Sequence, residues 1–419
     1  MLEKFAMNYP AVVLALLASA CIADLTGTGD DDAPDDPPPP PPASRVQLTV
    51  KSNGVPQAGL VVIFQRADDS LVAEVTTDAM GLASAPMPVG GNVTVIRNGQ
   101  LGEAFTYVGA KAGDKLELAV ASKGATPTTI KVRVPEPEVE GSPVSVSTPC
   151  GSALGAAPIV ELTLDGGCGP ETDFYVVDIE GTASDDELPR PLSVLERRAI
   201  APEVDLSNAT LRENLTSMIA ATNLPGIEGL AIVLEQRLET NLFRPVFASG
   251  QIAAETAAID SPDLPGIDMI VAATLSFASG KQVIATGMLY TPAPPPLDIA
   301  SSMIAQPKAT SLGANGVTWT EESGSAPDFV FTQLATANVR RVIAAPYAGT
   351  TLRVPQLPAT YAAYNITASE APTIDHHLVK ITGGYDGVRP QVFNIPLGSL
   401  APRNGKITIA SASSERPTP

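Results

Sequence analysis

Apolar and polar positions alternate in short runs along most of the chain, the period-two pattern of half-buried strands. Val46-Gln47-Leu48-Thr49-Val50 is one such run, turned by Ser52-Asn53-Gly54. Leu60-Val61-Val62-Ile63-Phe64 is apolar throughout, which predicts a central strand, and Asp68-Asp69-Ser70 turns it into Leu71 to Thr76. Asn92-Val93-Thr94-Val95-Ile96 is a further strand of this first block, 45–122. In a second block, 125–188, the strands are Thr128 to Val134, Val144 to Ser147, Ile159 to Leu164 and Phe174 to Ile179.

The rest of the chain continues in the same texture. Leu188 to Leu206, with three prolines and three arginines, predicts a connector. Ser207 to Asn223 fits either a helical face of Leu211, Leu215, Met218 and Ile219 capped by Ser207, or a pair of strands. A corner, Leu224-Pro225-Gly226-Ile227, returns as Leu264-Pro265-Gly266-Ile267. Each copy opens an apolar strand, Leu230 to Leu234 and Met269 to Ala273. Two copies are duplicated corners rather than a propeller. Block 189–291 is thus β-rich, Pro292 to Pro296 reads as a short spacer, and 297–419 is a C-terminal β-sandwich. Its strands include Gly316 to Thr320, with Trp319 as core anchor, Asp328 to Leu334, Arg340 to Tyr347 and Asp375 to Thr382. The expected fold is all-β, a tandem of β-sandwich domains.

Only the N-terminus departs from this pattern. The apolar run Ala11 to Leu17 is too short to span roughly 30 Å of hydrocarbon. It suits the core of a secretory signal peptide, 1–20. The segment 21–44 carries Asp24, Asp30, Asp31, Asp32, Asp35 and Asp36 with no basic residue before Arg45, then six prolines, Pro37 to Pro42. Like charges extend such a chain, and the prolines form a polyproline rod of roughly 19 Å, so a disordered acidic spacer is expected. Ala18 and Ala20 stand at −3 and −1 before Cys21, which resembles the bacterial lipobox, although that family prefers Leu where Ala18 stands. The resemblance implies diacylglycerol on Cys21 and, with Ile22 rather than Asp next, the outer membrane. Two or more acyl chains anchor durably where one does not. Plain secretion would leave Cys21 an odd thiol, because Cys150 and Cys168 can pair with each other. A Cys150–Cys168 disulfide is worth roughly 3 kcal/mol in the loop-entropy model.

The chain of 419 residues has a net charge of −19 and no basic stripe, which excludes nucleic acid as a partner and electrostatic docking to anionic lipid. Forty prolines and 34 glycines punctuate it, as suits short strands and tight turns. In 45–122, Gly54-Val55-Pro56 with Ala58-Gly59 ahead of Val62, the turn Thr77-Asp78-x-x-Gly81 and Val93-Thr94-Val95 resemble the carboxypeptidase regulatory-like domain and its transthyretin-like and bacterial immunoglobulin-like relatives. The second block is similar to immunoglobulin-like or fibronectin-like sandwiches. The C-terminal half resembles uncharacterised Gram-negative surface lipoproteins.

Candidate chemistry is sparse. The two histidines, His376 and His377, are neighbours in a strand and point to opposite faces, so they cannot share one metal or substrate. No nucleophile elbow, phosphate loop, HExxH or dinucleotide glycine pattern occurs. Asp165, Glu171 and Asp173 read as solvated turn carboxylates rather than a calcium loop. No catalytic residue, cofactor or metal is therefore expected. The function expected is a non-catalytic binding or scaffolding lipoprotein of the cell envelope, meeting an envelope protein or polysaccharide. A carbohydrate-binding envelope protein is the alternative, and a carboxylate-dependent hydrolase the third.

Overall fold

The computed structural model describes residues 45–414 apart from 53–54, 100, 121–126, 138, 149–150, 165–170, 179–191, 214, 223–228, 239–241, 250–255, 262–267, 278–279, 290–296, 395–396 and 403–404. Cys21 with the leader and acidic spacer, Cys150, Cys168, Asp165, both Leu-Pro-Gly-Ile corners and the second proline spacer lie outside the described residues. Strands dominate and helical turns are short, so the fold is all-β and built of several sheets. The described residues form two compact units, one within Ala121–Glu213 and the other from Leu16–Val120 together with Asn214–Pro419.

The first strands are β1 (Arg45–Ser52), β2 (Val55–Pro56), β3 (Val61–Gln65), β4 (Leu71–Thr76), β5 (Leu82–Pro86), β6 (Gly91–Arg97), β7 (Gly102–Ala110) and β8 (Lys115–Ala119). Their alternation does what the sequence predicts: Val46, Leu48 and Val50 of β1 are buried while Gln47 and Thr49 are half-buried. The apolar β3 is central, flanked by β4 and β6.

The unit of Ala121–Glu213 holds β9 (Thr128–Arg133), β10 (Pro143–Thr148), β11 (Gly151–Ala156), β12 (Ile159–Leu164), β13 (Glu171–Asp178), β14 (Leu192–Ala199), β15 (Glu203–Asp205) and β16 (Arg212–Glu213). They make two sheets, β11-β10-β13-β14-β16 and β12-β9-β15. Ile130, Val132, Val146, Leu162, Phe174, Val176 and Val204 close one core between them. The segment expected as a connector supplies β14 and β15. β14 pairs with β13 over its whole length, Glu171↔Ala199 to Asp178↔Leu192, and Val204 and Leu206 are buried. Its run Glu196-Arg197-Arg198 reads as solvated because three consecutive charged side chains interrupt the apolar alternation. The sandwich expected to end at 188 therefore continues to 213.

The remaining strands are β17 (Leu215–Thr222), β18 (Gly229–Leu238), β19 (Leu242–Ser249), β20 (Thr256–Ser261), β21 (Asp268–Phe277), β22 (Gly280–Leu289), β23 (Leu297–Asp298), β24 (Gln306–Gly313), β25 (Gly316–Glu322), β26 (Phe329–Ala335), β27 (Val339–Pro346), β28 (Thr351–Leu352), β29 (Thr373–Ile381) and β30 (Lys406–Ser414). The helix-or-strand choice at 207–223 falls to strand, with β17 pairing β20 and β23. The two strands that follow the echoed corners, β18 and β21, pair antiparallel.

Twelve strands of this unit form one sheet, β19-β18-β21-β22-β30-β29-β26-β27-β7-β6-β3-β4. Every neighbouring pair is antiparallel except β27 and β7, which run parallel. On one face lie β5-β1-β8 and the short helix Gly384–Val388. They bury Leu48, Phe64, Val95, Phe329, Tyr385 and Ile407 in a single cluster. On the other face, β24-β25-β28 places Val317 and Trp319 over Val330, Ile343 and Leu378. Beside it, Leu357 and Tyr364 cover Ile63, Ile96 and Ala104. The blocks 45–122 and 297–419, expected as separate sandwiches, thus share one sheet and one core.

Candidate functional site

β29 sends its two histidines to opposite faces. His376 is fully buried, with Nδ1 2.8 Å from Thr332 Oγ1 and its ring centroid 4.2 Å from that of Trp319. Burial pushes its pKa down to about 3. His377 is half-buried, with Nδ1 2.7 Å from Ser411 Oγ, and burial lowers its pKa as well, opposed by Asp375. Trp319 is the expected core anchor. Its Nε1 donates to Glu321 Oε1 at 2.7 Å, and the Tyr347 hydroxyl donates to the same carboxylate at 3.0 and 3.1 Å. Glu171 and Asp173 stand on strand β13 rather than in a turn, and Glu171 Oε2 is 3.7 Å from Arg197 Nε. Among the described residues no group of three or more His, Cys, Asp or Glu could hold a metal ion.

Recessed space of a different kind occurs where the β24–β25 hairpin meets the chain leaving β28. A pocket of about 270 Å³ is lined by Leu312, Gly313 to Gly316, Arg353, Val354, Gln356 and Ile366. Gly316 makes it possible: its φ is +111°, and a Cβ there would stand 2.1 Å from the Leu352 carbonyl oxygen. Only glycine lets the hairpin close down on β28 at that distance. Val317↔Leu352 is the last pair of that ladder, so Arg353 leaves the strand at the pocket wall.

The wall is fixed from the β3–β4 turn. Asp69, at φ +67°, grips Arg353 end-on: Nη1 donates to Oδ1 at 3.1 Å and Nη2 to Oδ2 at 2.5 Å. Arg353 Nη1 also donates to the Ala67 carbonyl at 2.8 Å, and Asp69 Oδ2 accepts the Gln356 amide at 2.8 Å. Behind Gln356 lies Gln65, which is fully buried and donates Nε2 to the carbonyls of Gln356 and Asp69 at 2.7 and 2.8 Å. Arg341 is buried beside it, donating to the Pro355 carbonyl and, at 3.3 Å, to Asn365 Oδ1. Burial lowers the Arg341 pKa to about 10, with Asp69 acting against that shift, so the group stays cationic at neutral pH. Gln65 Oε1 and Arg341 Nε have no partner among the described residues.

Arg353 is paired with Asp69, and the nearby buried Arg341, bonded to the Pro355 carbonyl and Asn365, makes no ion pair among the described residues, in a chain of net charge −19. Arg353, Asn315 and Gln356 can hydrogen-bond a ligand, and Leu312, Val354 and Ile366 offer apolar wall. The lining thus combines one guanidinium, two amide side chains and an apolar wall, an arrangement that can hold a small molecule. No motif points to it, because its parts come from four separate stretches. The only local signal is the glycine-rich turn Leu312-Gly313-Ala314-Asn315-Gly316.

No family model matches the chain, and no curated protein matches it. Among solved structures it is similar to the Bacillus anthracis TIE protein, at 8% identity and a TM-score of 0.16, covering 61% of this chain and 49% of that one. It is also similar to the native conformation of Escherichia coli alpha-2-macroglobulin, at 11% identity and a TM-score of 0.13, covering 78% of this chain and 26% of that one. The chain spans less than half the length of either.

Proposed function

We propose that the chain is a cell-envelope lipoprotein that works as a non-catalytic binding or scaffolding module, anchored in the outer membrane through diacylglycerol on Cys21. The observation that carries this reading is the order of parts. A short apolar leader ends in Ala18-Ser19-Ala20-Cys21, an acidic polyproline spacer follows, and an all-β, multi-sheet body comes after it. Fractionation tests it: Cys21→Ala moves the protein from membrane to soluble fractions and abolishes incorporation of labelled palmitate. Retention of the variant in membranes sinks the proposal.

Two parts of the body belong to this reading. Block 45–122 is a carboxypeptidase regulatory-like module, supported by the turn in which Asp78 Oδ1 accepts the amides of Met80 and Leu82 at 2.8 and 2.9 Å. Cys150 and Cys168 form a disulfide in the exported protein. In support, this pairing uses two of the three cysteines and leaves Cys21 for the lipid. Ready labelling of both thiols in the native protein would refute the bridge. A carbohydrate-binding role is the second reading, favoured by the polar pocket at Arg353.

A further inference from the structure

We infer that the pocket between the β24–β25 hairpin and Arg353–Gln356 takes a single sugar acid of the uronate type, with its carboxylate on Arg353. The inference rests on the reading of this chain as a binding module and names the class of ligand that site would hold.

Charge comes first. Arg353 pairs with Asp69, while Arg341 hydrogen-bonds to the Pro355 carbonyl and to Asn365 and makes no ion pair among the described residues, so its charge is not matched by a carboxylate in contact. Arg341 is buried behind the wall and tied to Pro355 and Asn365, so the group a ligand can reach is Arg353.

Geometry is the second strand of the argument. A guanidinium has five N–H donors in a fixed fork. Asp69 takes the end-on pair, and Ala67 takes the other Nη1 hydrogen. That leaves the Nε hydrogen and one on Nη2 without a partner among the described residues. These two are parallel, the side-on edge that accepts a carboxylate through two charge-assisted bonds.

Size and lining narrow the class. A volume of about 270 Å³ falls just under the usual range of roughly 300–1,000 Å³ for small-molecule pockets, and suits one ring rather than a chain of them. Leu312, Val354 and Ile366 can meet the C–H face of such a ring, while the amides of Asn315 and Gln356 can meet its hydroxyls.

The test is calorimetric titration of the full chain, purified in detergent, with sodium glucuronate, glucose and sodium acetate. Glucuronate binds at least roughly tenfold tighter than either of the others, and more weakly at about 0.5 M salt because the wall is solvent-facing. Arg353→Gln abolishes the binding. Since that change also releases Asp69, a second variant is needed. Arg353→Lys keeps a positive charge opposite Asp69 but lacks the planar fork, and it weakens glucuronate binding at least roughly tenfold. Four results would overturn the inference: glucose or acetate binding as well as glucuronate, binding unchanged in Arg353→Gln, binding unchanged in Arg353→Lys, or no heat from any of the three. None of these touches the lipoprotein reading, which fails only by membrane fractionation.

Discussion

The rings of Trp319 and His376 meet at 42° with centroids 4.2 Å apart, pressed between the β24-β25-β28 layer and the long sheet. His376 has no exposed surface, its Nδ1 is on Thr332, and its Nε2 has no partner among the described residues. A proton on that ring would be a desolvated cation against an apolar layer, which is why its pKa lies near 3 instead of 6.5. Between those values the unfolded chain binds the proton and the folded chain does not. Unfolding free energy therefore rises with pH across the window, is unaffected by this group above pH 6.5, and falls as acid is added. The slope is at most about 1.4 kcal/mol per pH unit. His377, lowered by burial, adds in the same direction. Urea midpoints should drop between pH 7 and pH 5, where most carboxylates stay ionised, for the native protein and drop less for His376→Gln. Equal slopes would mean that the buried imidazole is not the source.

The turn after β4 is the clearest case of a sequence feature acting as its chemistry requires. Asp78 Oδ1 accepts from the amides of Met80 and Leu82, and Gly81 sits at φ +71° with the Val50 carbonyl oxygen 2.3 Å from where a Cβ would be. Asp78→Ala loses two hydrogen bonds to a charged acceptor at an exposed site and should cost about 1–2 kcal/mol. Gly81→Ala meets both a disfavoured φ and a fixed backbone oxygen, and should cost more, about 3 kcal/mol. Chemical denaturation of the two variants checks the order. A Gly81→Ala protein as stable as the native one would show that this turn yields.

What the sequence disclosed follows from how local each feature is. Alternation placed β1 and β26, a continuous apolar run placed β3, and the two-residue period put His376 and His377 on opposite faces, because each depends only on adjacent residues. β14 escaped because Glu196-Arg197-Arg198 reads as a solvated stretch, although it pairs across to β13. The β27–β7 seam left no trace at all. Parallel partners so distant in sequence share no turn, and Arg340-Arg341 looks like the polar start of a strand. The pocket was hidden for the same reason, since Asp69 reaches Arg353 only after the sheet has joined their two halves of the chain.

At that seam, Glu103 accepts Arg97 Nη1 on Oε2 at 2.8 Å and holds Arg340 on its other oxygen. Arg97 and Glu103 side chains are 11% and 9% exposed, so their pairing is barely screened, whereas Arg340 at 36% is partly in water. Removing the shared carboxylate breaks one buried ion pair and one half-exposed one. Breaking a buried pair costs about 3–5 kcal/mol, and the exposure of Arg340 brings the expectation for Glu103→Gln to about 3 kcal/mol. Arg340→Met should cost under about 1 kcal/mol, because Glu103 keeps Arg97. Equal losses in the two variants would argue against this division.

The seam also decides which piece of the chain can fold alone. The apolar core of the sandwich within Ala121–Glu213, from Ile130 to Leu206, packs as one cluster. A fragment of residues 121–213 should therefore unfold in urea as one cooperative transition with dispersed amide resonances. A fragment of residues 45–122 keeps β1 to β8 but loses what completes them. The edge of β7, Gly102–Ala110, stands bare without β27, and Ile63, Ile96 and Ala104 lose the cover of Leu357 and Tyr364. A bare strand edge together with an uncovered apolar face leads to self-association or incomplete folding. The expected outcome is a fragment that aggregates or unfolds without a cooperative step. A monomeric 45–122 with a sharp transition would show instead that the long sheet is two finished domains laid edge to edge, and the cost of Glu103→Gln would then fall on their docking rather than on folding.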